Sequence, residues 1–456
     1  MKSSRKRKTK HLLEQNIHPN SAGIDIGADI IVVAIPQEKD DEEPVRTYGT
    51  FTSDLIDIRD WLLSHSISTV AMESTGVYWV ALYEVLEESG IEVCLVNARH
   101  VKGVPGKKTD IIDAQWLQQL HRSGLLKASF RPRYEVVRLR ELKRHRDVLT
   151  QDASRQLLQM QKSLTTMNLK IHQVFSDLDG VTGMRILEAI LDGEKDPHKL
   201  WEMRCAGVKA KKAVFLQAME GSYNEQQLFI LKHHHRMWKS LKSMIIEADG
   251  EIEVVMKQLE PPGVEGELEP TKKHRIKVKG APKFDVFTRA YNCYGVDLST
   301  IDGVSSGFLS VLMSEVGNRD DLLKNFKSAK AFCSWLGLCP DNRVSGGKIL
   351  KSKTRPVVNR LATAFRLCVF GVGHAKNEMG QYARRMKGKL GKAEGIVAVA
   401  HKIARLVYSM IQHQKPYDAK LAFKETSYGR SRKLKALKKL AEELKIELAP
   451  HATPQA

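Results

Sequence analysis

At 456 residues the chain exceeds what one ordinary hydrophobic core organises, so two or three folding units are expected. A hydrophobic share of 42% with 28% charged residues is that of a globular protein and excludes low-complexity and fibrous classes. Lys and Arg number 73 against 53 Asp and Glu, a net charge of +20 that points to a polyanionic partner.

The basic N-terminus "MKSSRKRKTKH" leads into "LLEQNIHP" rather than a long apolar stretch. No uninterrupted apolar run approaches the ~20 residues of a membrane span. The expectation is a cytoplasmic protein with residues 1–20 as a basic tail and no membrane partner.

From residue 21 to 132 the pattern is strand, turn, strand, then alternating helix and strand. "AGIDIGADIIVVAIP" gives two β-rich pieces around Gly27, and "VRTYGTF" supplies a third. "DLIDIRDWLLSHS" has helical periodicity, and "STVAMEST" is an apolar strand ending in polar residues. "GVYWVALYEVLEESG" is a helix closed by Gly90, and "IEVCLVNA" is a fifth strand. A last helix begins in "GKKTDIIDAQWLQQL". This βββαβαβα order is that of the ribonuclease-H-like fold.

Residues 133–260 read as a helical arm. Leu142, Leu149, Leu157, Leu164 and Ile171 recur at spacings of seven or eight, predicting one long helix from Tyr134 to about Leu178. Trp238, Leu241, Ile245, Ile252 and Leu259 form the stripe of a second helix, from about Asn224 to Leu259. The stretch from about Thr182 to Phe287 is longer than a simple helical arm needs and carries no assignable chemistry; RNA binding, a longer arm and assembly are its open readings. The run His233, His234, His235 reads as a solvated face, because adjacent helical residues fan out and cannot chelate one ion.

Residues 261–296 have the Pro, Gly and charge content of a linker or mobile loop. A further, mainly helical unit is expected over 297–418, and "GRSRKLKALKKLAEELKIEL" reads as a basic helical tail within 419–456. The six cysteines are scattered without a C-x-x-C pair and support neither a disulfide framework nor a zinc site.

On a ribonuclease-H-like core, Asp25 falls on the first strand, Glu73 at the end of the fourth, and Asp110 with Asp113 on the last helix. Phosphodiester cleavage develops negative charge on the attacking and leaving oxygens, and hard divalent cations favour carboxylate oxygens. Positions i and i+3 share a helix face, so the two aspartates can reach one ion. The rival reading makes Thr109 the N-cap, Asp110 an anion favoured by the helix dipole and Asp113 a surface residue. "GIDIG" also suits the phosphate hairpin of sugar kinases, but no second β-rich copy of the fold follows residue 130.

"LSTIDGVSSGFLSVLMSEVG" reads as helix end, tight turn, helix, like a helix-hairpin-helix that grips phosphate through turn amides. Its turn lacks the second glycine, and a packing turn is the alternative. Beyond it, a polar loop carries Ser345 before Gly346 and Gly347, in a run containing Arg343, Lys348, Lys351, Lys353 and Arg355. Cations bind a phosphate and assist a serine nucleophile, while the glycines permit close approach of a DNA backbone.

Taken in order, Asp25, "MESTG", "KTDIIDA", "IDGV", "SWLGLCP" and "SGGK" resemble the DEDD transposases of bacterial insertion sequences, the bridge-RNA-guided recombinase family. The resemblance runs from about residue 20 to 418. It implies a RuvC-like ribonuclease-H-fold domain with Asp25, Glu73, Asp110 and Asp113 holding Mg²⁺, with Mn²⁺ as a substitute, and a transposase domain whose nucleophile matches Ser345.

The same resemblance implies strand exchange through a covalent phosphoserine, donor and target DNA, and a structured guide RNA that supplies sequence choice by base pairing. It also implies a homo-oligomer, a dimer or a dimer of dimers, associated with the nucleoid. Lys107, Lys108, Arg343, Lys348, Lys351, Lys353 and Arg355 become candidate nucleic-acid contacts. Two alternatives remain: a Holliday-junction type nuclease that hydrolyses DNA with the acidic site alone, and a nucleic-acid-binding regulator derived from a transposase.

Overall fold

A computed structural model describes residues 16–40, 42–74, 76–97, 109–175, 177–206, 208–262, 268, 271, 274, 279–423, 434, 435, 437 and 441–444. The chain divides into two compact units after Arg131.

The first unit is a five-stranded mixed sheet in the order β3-β2-β1-β4-β5. Strands β1 (Ser21–Ile26), β2 (Ile31–Ala34) and β3 (Val45–Tyr48) form an antiparallel meander. Helix α1 (Thr52–Ser64) then leads to β4 (Thr69–Glu73), which pairs parallel to β1, and α2 (Trp79–Glu88) leads to β5 (Glu92–Val96), parallel to β4. Helix α3 (Asp110–Arg122) closes the order βββαβαβα. This is a ribonuclease-H-like domain.

Side-chain alternation sorts the two faces of the sheet. Ala22, Ile24, Val33, Val70 and Met72 point into a core with Ile58 and Leu62 of α1 and Leu82 and Leu86 of α2. The opposite face receives α3, where Val32 and Ala34 pack on Ala114. Small residues fill that seam. Gly23 pairs with Ala34 on one side and Ala71 on the other, and a Cβ on Gly23 would lie 2.3 Å from the Ala114 carbonyl and 2.2 Å from the Gln118 amide.

In the second unit, α4 (Tyr134–Thr166) packs along a second long helix, Glu225–Gln258. The first is shorter than its apolar spacing suggests. Asn168 turns to φ +58°, and the Leu169 amide donates back to the Leu164 carbonyl at 2.8 Å, a left-handed stop that leaves Ile171 outside α4. The segment between the long helices folds into short helices, α5 (Val181–Leu191), α6 (Pro197–Glu202) and α7 (Lys212–Ala218). They share a core with the distal ends of the arm, including Leu164, Leu187, Trp201, Phe215 and Leu231. The unassigned middle of the chain is thus a head on a helical hairpin.

The second long helix is α8 (Glu225–Gln258), with Asn224 as its N-cap, accepting from the Gln226 and Gln227 amides. Its three histidines fan out, but the face is not all solvated, which corrects the reading of that run. His233 is exposed, His234 meets Gln156 of α4 at 2.8 Å, and His235 is buried against Glu188 at 3.2 Å. The 3.6-residue period carries the third histidine round to the packed side.

The stretch expected as linker to residue 296 contains α9 (Val286–Tyr294), capped by Asp285 and buried at Val286, Ala290 and Tyr294. Beyond it come α10 (Ser306–Val316), α11 (Arg319–Asn325) and α12 (Ala329–Trp335), then a hairpin of β6 (Pro340–Ser345) and β7 (Lys348–Thr354). Helices α13 (Arg360–Gly373), α14 (Glu378–Leu390) and α15 (Lys392–His413) complete a mainly helical domain. Among the described residues no helix is long and apolar enough to cross a membrane.

Candidate active site

Asp25 and Glu73 meet because two strands run parallel in register. Ile24 pairs with Met72, so the next residues, Asp25 and Glu73, are neighbours at the carboxyl ends of β1 and β4. Alternation sends both to the face carrying Gly23 and Ala71, which is the face covered by α3. Helix α3 runs antiparallel to β1: Gln118 donates to the Ser21 carbonyl at 3.4 Å, and Ala114 lies over Gly23. The turn preceding Ala114, with Asp110 and Asp113, therefore lies toward Asp25. Asp25, Glu73 and Asp113 are half-buried and Asp110 is exposed.

The fold brings three acidic elements to one edge of one sheet, and carboxylate oxygens are the donors a hard divalent cation takes. Among the described residues, however, no three acidic, imidazole or thiol side chains are gathered closely enough to hold one ion. Thr109 caps α3, its hydroxyl accepting from the Ile112 amide at 3.3 Å. A capping hydroxyl and two acidic side chains thus share one turn, and the N-terminal dipole favours negative charge at Asp110. Lys107 and Lys108 lie outside the described residues.

At the far end of α3, His121 is buried between the Thr69 hydroxyl, 2.9 Å from its Nε2, and the stacked His18 ring, 5.0 Å away. Burial, with the neighbouring His18, pushes its pKa down to about 4. A neutral imidazole therefore fastens α3 to β4. Nothing in the motif pattern singled out His121 or Gly23. The small residues at mid-strand, Gly23, Ala34 and Ala71, were the available signal of close helix approach.

Ser345 belongs to the second unit. The stretch expected as a polar loop is a β-hairpin, because Gly346 and Gly347 adopt φ +54° and +76°. Two consecutive positive φ values make the tight turn whose twist matches paired strands. Ser345 and Lys348 pair directly across it. Ser345, both glycines, Lys348 and Lys353 are exposed, and a Cβ on either glycine would meet only open space. The side chains of Arg343 and Lys351 lie outside the described residues.

Arg355 has a structural task at the base of this ribbon, donating to the Ser334 carbonyl at 2.7 Å and hydroxyl at 3.1 Å. Within "SWLGLCP", Gly337 takes φ +66° and ends α12, with the Leu338 amide donating to the Cys333 carbonyl at 3.1 Å. The motif is thus a helix stop onto which the ribbon is pinned.

The helix-hairpin-helix-like turn is packed on one side, while Gly303 is half-buried and Ser305 exposed. Ile301 and Val304 are buried, and a Cβ on Gly303 would lie 2.2 Å from the Cys368 carbonyl of α13. Ser305 caps α10, accepting from the Phe308 amide at 3.3 Å. Gly303 serves helix packing.

Two family models match the chain. One, described as a transposase of the IS110 DEDD type, covers residues 22–169, and the other, described as Transposase IS116/IS110/IS902 family, covers 297–383. The first contains Asp25, Glu73, Asp110 and Asp113, and the second contains Ser345. No curated protein matches the chain. Membership implies DNA binding and cleavage chemistry that depends on a divalent metal. With a ribonuclease-H-like acidic edge in one matched segment and a serine-tipped hairpin in the other, the chain belongs to the IS110 family of DEDD transposases.

Proposed function

We propose that this transposase recombines DNA strands through a covalent phosphoserine formed on Ser345, with sequence choice supplied by a structured guide RNA. The observation that carries the reading is the setting of Ser345. It stands at the tip of an exposed Gly-Gly hairpin, paired with Lys348 and on a ribbon with Lys353, inside a transposase-matched segment.

The Ser345 Oγ attacks the phosphorus of a DNA phosphodiester. The Oγ–P bond forms as one P–O bond to a deoxyribose oxygen breaks. The serine proton passes to a base, and the departing sugar oxygen becomes a hydroxyl by taking up a proton. A hydroxyl of the exchanged strand then attacks the same phosphorus and expels Oγ, which recovers a proton. One phosphodiester is lost and one gained, so no external energy source is required. Lys348 and Lys353 place positive charge beside the phosphate, and the bare glycine backbone lets it approach.

Asp25, Glu73, Asp110 and Asp113 are the residues we assign to Mg²⁺, with Mn²⁺ as substitute; they would have to close further to hold an ion. An ion held there would supply charge neutralisation to phosphodiester cleavage. We also assign a homo-oligomer, a dimer or a dimer of dimers, as the working form.

Incubation with labelled element-end DNA and the cognate RNA, followed by denaturing electrophoresis, tests the reading. The wild type yields a protein-linked strand, Ser345→Ala yields none while still binding DNA, and Asp25→Asn loses metal-dependent strand exchange. A persistent adduct in Ser345→Ala moves the nucleophile elsewhere, and cleavage without any adduct supports the nuclease alternative.

A further inference from the structure

Helix α8 and the head lie within residues 170–296, between the segments matched by the two family models. Charge along α8 is strongly polarised there. From Gln226 to Ile246 the helix carries Lys232, Arg236, Lys239 and Lys242 and no acid. From Glu247 to Gln258 it carries Glu247, Asp249, Glu251 and Glu253 against Lys257 alone.

The acidic half is consumed by the arm's own cations: Asp249 pairs with Arg146, and Glu251 with Arg138 at 3.2 Å. Other cations of α4 are matched as well, Arg140 and Arg144 by Glu315, Lys143 by Asp147 and Arg155 by Asp152. The basic half of α8 is different. Lys239 reaches Glu188 at 2.9 Å, but Lys232, Arg236 and Lys242 have no acidic partner among the described residues.

Position adds a second, independent signal. Phe229, Lys232, His233 and Arg236 stand at i, i+3, i+4 and i+7, a single helix face. That face is opposite the buried stripe of Leu231, His235, Ile245 and Ile252 and is open to solvent. Phe229 is 61% exposed, and its ring lies 4.3 Å from that of His233. An exposed aromatic platform between unpaired cations is the combination that holds an unpaired base by stacking and its phosphates by charge.

We propose that this face of α8 binds an unpaired stretch of nucleic acid, with Lys232 and Arg236 on the backbone phosphates and a base stacked on Phe229 and His233. The site is independent of the serine chemistry. RNA and DNA share the required phosphate and base chemistry, and a comparison of the two identifies the source.

The test uses the full chain with a 4-thiouridine-labelled single-stranded RNA, a 4-thiothymidine-labelled single-stranded DNA of the same sequence, and a DNA duplex. Illumination is expected to crosslink a single strand at Phe229 or His233, and mass spectrometry locates the adduct. The Lys232→Gln/Arg236→Gln variant is expected to weaken single-strand binding roughly tenfold and to lower its salt slope by about 1.4, since two phosphate contacts are lost.

Phe229→Ala should weaken single-strand binding with the slope unchanged and leave duplex binding untouched. These side chains are exposed, so unchanged thermal melts separate binding from folding. Crosslinks confined to RNA, or shared with DNA, both support the site and name its source. Absence of crosslinks at this face, or unchanged single-strand affinity and slope in both variants, overturns it. Equal loss of duplex and single strand in Phe229→Ala overturns the stacking role.

Discussion

Arg146 of α4 and Asp249 of α8 form a two-pronged ion pair inside the arm, with only 5% and 3% of their side chains exposed. The guanidinium also donates to the Gly280 carbonyl at 3.1 Å, and the carboxylate accepts from the Lys283 amide at 3.2 Å. One pair therefore ties both arm helices to the segment leading into the C-terminal helices. A paired charge in such a place is tolerated, whereas a single one is costly.

Removing either partner strands the other in a dry interface. Arg146→Met or Asp249→Leu alone is expected to cost about 3–5 kcal/mol, and the double substitution markedly less than the two single costs combined. Denaturant unfolding of the four proteins measures the coupling. Strictly additive losses would show that the pair does not act as a unit.

Gly23 sets how closely α3 lies on β1. Because a Cβ there meets the helix backbone, Gly23→Ala has no side chain to displace and must push α3 outward. Overpacking of this kind costs about 1–3 kcal/mol. Asp110 and Asp113 would move with the helix, so metal-dependent cleavage should fall more than DNA affinity does. Thermal melts and cleavage titrated with Mg²⁺ provide the two readouts, and an unchanged metal dependence would count against the positioning role.

The hairpin tip separates activity from stability. Gly346→Ala and Gly347→Ala meet no neighbouring atom, yet each forces a side chain into the left-handed region at about 1–2 kcal/mol. Since the ribbon is exposed, the melting temperature of the whole protein should hardly change, while adduct formation through Ser345 drops. A large fall in melting temperature would show that the ribbon belongs to the folded core.

His121 predicts an acid-sensitive first unit. Its pKa is about 4 in the folded state against an ordinary value near 6.5, so below pH ~6.5 the unfolded chain takes up a proton that the folded one refuses. The associated stability is complete above that pH and declines as pH falls toward 4, by up to about 3 kcal/mol. His121→Gln should flatten this part of the pH dependence in melts recorded from pH 7.5 to 4.5. An unaltered slope assigns the acid sensitivity to other groups.

Residue order alone was enough for the ribonuclease-H-like domain. Gly27, Gly90 and the alternation of apolar residues mark its elements locally, and their order restricts how a parallel sheet is threaded. The arm's second helix was legible from its apolar stripe, and its expected ends, Asn224 and Leu259, are the cap residues of α8. The first was over-extended because a repeat of leucines does not reveal that Asn168 turns left-handed. The hairpin was missed because, among the described side chains, its strands are exposed almost throughout and show no alternation of the kind that marks a half-buried strand.

The sequence by itself determined the elements, the family motifs and the acidic and basic residues available, since these depend on neighbours along the chain. Only the tertiary structure decided that Asp25 adjoins Glu73, that Gly303 packs closely on Cys368, and that His235 is buried while His233 is not. It also decided which arm cations are neutralised and which remain available to a partner. Those outcomes follow from strand register, close backbone approach and pairing over long separations, and residues near in sequence do not encode them one at a time.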